Sequence, residues 1–181
     1  MESESKVFFK SKNPIFILAL IIVGLISVLF IFKNILFESS LALKSYGKIS
    51  MDPEIAFNNT KPTFLEFYAE WCEVCKEMAP KIIESKNKYQ NDINFVFLDV
   101  DNPKWEKYIK QFNVNGIPQM VFLDNNFKTR ASLIGFKDEI LINNALDKLL
   151  DSKQELDIIP VSKFSKIQNH PKDTIKPRSH S

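Results

Sequence analysis

Cys72 and Cys75 are the only two cysteines of the chain, three positions apart in the run Phe67-Tyr68-Ala69-Glu70-Trp71-Cys72-Glu73-Val74-Cys75-Lys76. With no other sulfur pair, they cannot belong to a disulfide framework or a four-cysteine metal site. Reversible dithiol–disulfide exchange with another molecule is the chemistry that remains. The spacing fits a helix N-terminus, where positions i and i+3 share a face and unpaired amides point at the first sulfur. The partial positive charge there stabilises a thiolate, the species that attacks disulfides. His170 and His180 lie far away in the C-terminal stretch and make a poor zinc set with the pair. Redox site or coincidence is decided by the flanking sequence.

The elements around the pair are legible from pattern. Residues 63–68 are β-branched and aromatic, follow Lys61-Pro62, and read as a strand that delivers the chain to the cysteines. A helix is expected from the cysteines to about Tyr89, with Pro80 inside it as a kink or a gap in its hydrogen bonding. Residues 93–100 are nearly all apolar, as in a central strand covered on both faces. A short helix over 105–112 would place Trp105, Tyr108, Ile109 and Phe112 on one face. Residues 119–123 and 128–134 pair as a hairpin around Asp124-Asn125-Asn126. An amphipathic helix over 137–150 closes the domain, with Ile140, Leu141, Ala145, Leu146 and Leu149 at helical spacing. Asp52 and Pro53 have the residue types of an N-cap and a first helical position.

Upstream, residues 15–32 carry no charge. As a helix they reach roughly 27 Å, close to the hydrocarbon thickness of a bilayer. A cleavable signal peptide is the rival, with Ser40-Leu41-Ala42 offering small residues for a cut, but the run exceeds the usual h-region. A soluble core helix would rarely be apolar on every face. The expected organisation is a short tail over 1–14, a transmembrane anchor over 15–36, a linker or first amphipathic segment over 37–50, a catalytic domain over 51–150 and a polar, proline-punctuated, disordered tail over 151–181. Lys6, Lys10 and Lys12 before the span balance Lys33, Lys44 and Lys48 after it, so charge leaves the orientation open. A net charge of +2 on 181 residues gives no support to nucleic-acid binding.

Strand, cysteine pair at a helix start, buried strand, helix, strand pair and helix form the order of a thioredoxin fold, a central mixed sheet flanked by helices. The segment 64–76 resembles the thioredoxin active site, Met78-Ala79-Pro80 its kinked helix, Asn115-Gly116-Ile117-Pro118 its cis-proline loop, and Gly135 the glycine that opens space beside the site. More narrowly, Trp71-Cys72-Glu73-Val74-Cys75, the run 99–106 and the single anchor resemble the membrane-tethered thioredoxin-like proteins of cyanobacteria and chloroplast thylakoids (TxlA type). That resemblance implies a lumen-facing disulfide reductase that receives electrons from a CcdA-type transmembrane thiol carrier and serves cytochrome maturation and cytochrome bf assembly. It implies no cofactor beyond the cysteines.

The resemblance also assigns roles. Cys72 is the exposed nucleophile and Cys75 the more buried resolving thiol. Glu66, in mid-strand, is the buried acid that exchanges a proton with Cys75, its pKa raised by desolvation. Phe97 stands where thioredoxins commonly carry a lysine beside that acid, which leaves Glu66 without a charge partner. Trp71 forms the substrate rim, and Pro118, in a cis bond, leaves the backbone of Ile117 free to pair with an extended substrate. Glu73-Val74 replaces the common Gly-Pro, and a carboxylate beside Cys72 opposes thiolate formation and favours a reducing couple. A disulfide oxidant or isomerase, and a tethered assembly chaperone without redox turnover, are the alternatives.

Overall fold

The apolar run is helical, and the helix outlasts it: α1 spans Pro14–Ile49 in the computed structural model, which describes residues 14–151 and 165–166. The chain divides into two units, 1–38 and 39–181. In the first, the described part of α1 exposes its apolar side chains and is long and apolar enough to cross a membrane. Its one hydroxyl in the uncharged stretch, Ser27 Oγ, is satisfied internally by Val23 O at 2.8 Å.

The last turns of α1 belong to the second unit. Of the two readings of 37–50, the linker is corrected and the amphipathic segment fits: Leu43 and Tyr46, one turn apart on the same face, are fully buried members of the core. Ser50 then ties the end of the helix to the sheet, its Oγ accepting from the Phe97 amide at 2.9 Å. The short α2, Pro53–Ala56, starts as its residues dictate, with Asp52 Oδ1 accepting from the Glu54 amide at 2.9 Å.

The sheet has four strands in the order β2-β1-β4-β5, with β1 Thr63–Tyr68, β2 Asn94–Asp99, β4 Gln119–Leu123 and β5 Thr129–Ile134. β1 runs parallel to β2, from Thr63↔Asn94 to Tyr68↔Asp99, and antiparallel to β4, from Thr63↔Leu123 to Phe67↔Gln119. β1 is buried along its whole length, which explains why its sequence is nearly continuous apolar rather than alternating. Phe64 packs against Phe95 and Phe122 across the register, with ring centroids 5.3 and 5.4 Å apart. Glu66 is the one charged residue in β1.

The crossover from β1 to β2 is α3, Glu73–Tyr89, which runs on through Pro80. It packs on α5, Glu139–Leu150, through Ser85 Oγ to Asn143 Oδ1 at 2.7 Å and Tyr89 OH to Asp147 Oδ1 at 2.8 Å. The buried face of α5 is Ile142, Ala145, Leu146 and Leu149; Ile140, expected inward, is exposed. A 3-10 turn, Pro103–Trp105, leads into α4, Glu106–Gln111; Tyr108 is buried, and Ile109 and the flanking Trp105 and Phe112 are half-buried.

The expected disordered tail over 151–181 lies mostly outside the described residues. Ser165–Lys166 depart from that expectation: they form β6, antiparallel to β3, Gly116–Ile117.

Candidate functional site

β1 ends at Tyr68, and three residues later the chain turns into α3. Cys72 makes that turn. Its amide donates to Ala69 O at 3.1 Å, its extended backbone (φ −78, ψ 107) places it at the N-cap of α3, and its Sγ accepts the Cys75 amide at 3.1 Å. A sulfur here performs the task usually given to an Asp or Ser oxygen, and the helix end favours negative charge on it. Cys72 and Cys75 are joined in a disulfide, with Cα atoms 5.2 Å apart. Both cysteines are fully buried. The expectation of an exposed Cys72 above a buried Cys75 is therefore corrected: in the oxidised pair the Cys72 sulfur is folded back against the first turn of α3.

Glu73 needs a second correction. Its carboxylate is exposed and paired with Lys76 Nζ at 2.6 Å, one turn along α3. Solvent and the lysine together weaken its effect on the neighbouring sulfur. The electrostatic leverage expected from Glu73-Val74 is correspondingly small.

Trp71 is 42% exposed, and its indole N–H donates to Asp101 Oδ2 at 2.8 Å, so the ring stands at the surface beside the cysteines rather than in the core. The Ile117–Pro118 peptide is cis. Because Phe67 pairs with Gln119, Pro118 comes to the end of β1 from which the cysteine loop departs. Gly135 holds this corner, donating its amide to Pro118 O at 2.8 Å from a left-handed backbone with φ 82, where a side chain would be strained. The backbone of Ile117 is expected to be free; in the structure β6 pairs with it, Ile117 lying opposite Ser165 and Gly116 opposite Lys166.

Glu66 lies between Phe97 on β2 and Met120 on β4 in the register and is fully buried. Neither carboxyl oxygen closes a hydrogen bond of ordinary geometry among the described residues, nor does the buried hydroxyl of Tyr46. The two groups nonetheless act on each other. Burial pushes the Glu66 pKa up to about 8, and the Tyr46 hydroxyl pulls against that rise. Tyr46 reaches the acid from α1, its ring stacked on Phe97 at 4.0 Å and edge-on to Tyr68 at 5.0 Å. Tyr68, next to it on the same face, is pushed up to about 12 by burial and then by Asp99 and Glu66. A carboxyl near 8 can exchange protons with a thiol, whose ordinary pKa is about 8.5.

The sequence pointed to the cysteines, Glu66, Trp71, Ile117 and Pro118; the fold brings the cysteine loop and Pro118 to one end of β1 and β4, with Glu66 two residues inside that end of β1. It did not point to Tyr46 or Asp101. The signal for Tyr46 was the Leu43-to-Tyr46 spacing in a stretch read as a linker. A cleft of about 350 Å³ opens beside this end of the sheet, lined by Ser50, Tyr68, Phe97, Asp99 and Trp105 among others. Among the described residues, no three of His, Cys, Asp or Glu gather to hold a metal.

The thioredoxin family model matches residues 49–148. Over 135 residues the chain is 36% identical to the thioredoxin-like protein HCF164, chloroplastic, of Arabidopsis thaliana, covering 74% of this chain and 51% of that protein. Over 94 residues it is 43% identical to the protein of the same name from Oryza sativa subsp. japonica, covering 52% and 36%. Over 152 residues it is 32% identical to the thiol:disulfide interchange protein TxlA of Synechococcus elongatus, covering 80% and 78%. The chain thus spans about half or less of the two plant relatives and most of the cyanobacterial one.

Proposed function

Because this chain belongs to the thioredoxin family, we propose that it is a membrane-anchored thiol–disulfide oxidoreductase that works as a reductase. The observation that carries this reading is the Cys72–Cys75 disulfide at the N-terminus of α3. It is the product state of the reaction. In the reduced protein the Cys72 thiolate attacks one sulfur of a substrate disulfide. A mixed disulfide forms, and the substrate's other sulfur leaves as a thiolate that takes a proton from solvent. Cys75 then gives its proton to the Glu66 carboxylate and attacks Cys72 Sγ. The Cys72–Cys75 bond forms, the mixed disulfide breaks and the second substrate sulfur leaves, so two electrons pass to the substrate.

Trp71 and the Ile117–Pro118 corner form the substrate surface in this reading. An extended substrate segment takes the Gly116–Ile117 backbone edge by strand addition, in place of Ser165–Lys166, and lays its disulfide against Cys72. The apolar stretch of α1 holds the enzyme in a membrane, with the catalytic domain in the thylakoid lumen or periplasm. A CcdA-type transmembrane thiol carrier returns the electrons, and the targets are apocytochromes and cytochrome bf assembly proteins. The similarity to chloroplast and cyanobacterial proteins supports this placement.

Trapping tests it. Cys75→Ser should accumulate mixed disulfides through Cys72, and Cys72→Ser should accumulate none at that position. Identification of the captured proteins names both donor and targets. A Cys72→Ser, Cys75→Ser double variant that still supports cytochrome assembly would point to a chaperone instead. A potential near the strongly oxidising end, about −120 mV, would sink the reductase assignment.

A further inference from the structure

From the burial of Tyr46 and its place against Phe97, Tyr68 and Glu66, we infer that Tyr46 is a positioning residue of the redox site: its hydroxyl holds the Glu66 carboxyl and favours its ionised form. Four observations converge on this. Tyr46 is completely buried, an uncommon state for a hydroxyl without a hydrogen-bond partner. Both oxygens of the buried Glu66 lack a partner as well, so each group is the complement that the other needs. The ring is fixed from two sides, stacked on Phe97 and edge-on to Tyr68. Finally, Phe97 occupies the position at which the thioredoxin resemblance expects a lysine, and the polar group offered to the acid arrives instead on top of that ring, from α1.

Among titratable neighbours, Tyr46 on α1 is the group that acts on Glu66 from across the layer. Tyr68 follows it on β1, and Asp99, at the end of β2, acts on Tyr68. On β4 the residue opposite Glu66 is Met120, and the α3 cysteines are locked in the disulfide. A phenol donates to a carboxylate more strongly than to a neutral acid, so closing the Tyr46–Glu66 contact stabilises the proton-accepting state. Tyr46 precedes residues 49–148, the part matched by the family model. The contact therefore comes from the segment that also carries the candidate membrane span, and a domain cut at residue 51 lacks it.

The mechanistic meaning of this inference rests on the acid–base reading of Glu66, and the test separates the two. In the full chain in detergent micelles, the Glu66 carboxyl carbon is titrated by NMR in the wild type and in Tyr46→Phe, which keeps the ring. Loss of one hydrogen bond to a charged group should raise the Glu66 midpoint by about half to one pH unit. If Glu66 is the base, the pH profile of Cys75 resolution moves with it, and resolution at pH 7 slows about three- to tenfold. An unmoved Glu66 midpoint overturns the inference. A midpoint that moves while the rate profile stays fixed keeps the contact and removes the base role from Glu66. If Tyr46→Phe does not fold, Glu66→Gln makes the same test from the other side. The Tyr46 Cζ resonance of the wild type should carry the Glu66 inflection and lose it in Glu66→Gln; no inflection in the wild type overturns the inference.

Discussion

Truncating Tyr46 to alanine distinguishes a tether from a structural wall of the redox domain. If residues 37–50 were a solvated linker, Tyr46→Ala would change stability by less than about 0.5 kcal/mol, as surface substitutions do. The structure demands far more. The ring is fully buried, stacked on Phe97 and edge-on to Tyr68. Removing a buried aromatic side chain costs about 3–5 kcal/mol, through lost transfer free energy and the cavity left behind. Little of this belongs to the hydroxyl, whose pull on Glu66 acts mainly on the ionised acid, the minor form at neutral pH, so Tyr46→Phe should stay within about 1 kcal/mol of the wild type there. With a urea m-value of about 1.5–2 kcal/mol per M, the alanine midpoint should fall by roughly 2 M while the phenylalanine midpoint barely moves. The assay is urea unfolding of the full chain in micelles, followed by fluorescence of Trp71 and Trp105. Equal midpoints for all three proteins would refute the packing of α1 into this domain, and with it the premise that Tyr46 reaches Glu66.

Three further outcomes are expected. Glu66 has a folded pKa of about 8 against an ordinary 4.5, so the stability that goes with its neutral form is complete below pH 4.5 and is lost as the pH rises to about 8. The slope should be roughly 1.4 kcal/mol per pH unit across that window, and Glu66→Gln should flatten it in pH-dependent unfolding; a wild-type profile already flat there contradicts the burial argument. Ser165→Pro or Lys166→Pro removes an amide from the β6 pairing and should speed insulin reduction about two- to tenfold at unchanged redox potential, whereas an unchanged rate means that β6 does not compete with substrate. Asn94→Ala should cost about 1–3 kcal/mol in urea unfolding, since its amide donates to Ala56 O at 3.0 Å and to the Thr63 hydroxyl at 3.2 Å in a buried corner.

What the sequence revealed and what it hid follow from the range of the interactions involved. The cysteine pair was legible because its chemistry needs two residues one helical turn apart, and the N-cap geometry is local. Glu66 was legible because an acid inside a continuous apolar strand has few bland explanations. Pro118 was legible through its local run with Gly116 and Ile117. Other features stayed hidden because residue types do not show which side-chain conformation the helix start selects: Glu73 pairs with Lys76 one turn along α3, and the Cys72 sulfur folds back onto the helix end. Ser165-Lys166 carry no strand signature, because pairing with Gly116–Ile117, not propensity, makes them β.

Tyr46 shows the same rule at the place where it bears on chemistry. Phe97 was visible as a lost charge partner for Glu66, and on the strand pattern alone that loss leaves the carboxyl to desolvation. A buried acid with no complement drifts toward a permanently neutral form, useless as a proton acceptor. The fold avoids this because a flat ring at position 97 gives a second aromatic residue something to stack on, and that residue brings an oxygen with it. The lysine's charge is replaced by a hydroxyl's dipole, a weaker pull that leaves the acid near 8 rather than in the usual carboxylate range. A proton acceptor close to the thiol's own pKa suits a reaction that must run in both directions, once to reduce the substrate and once to be re-reduced. In this protein that setting is delivered by the helix that also carries the apolar span, so the redox centre is complete only with the last turns of α1 in place.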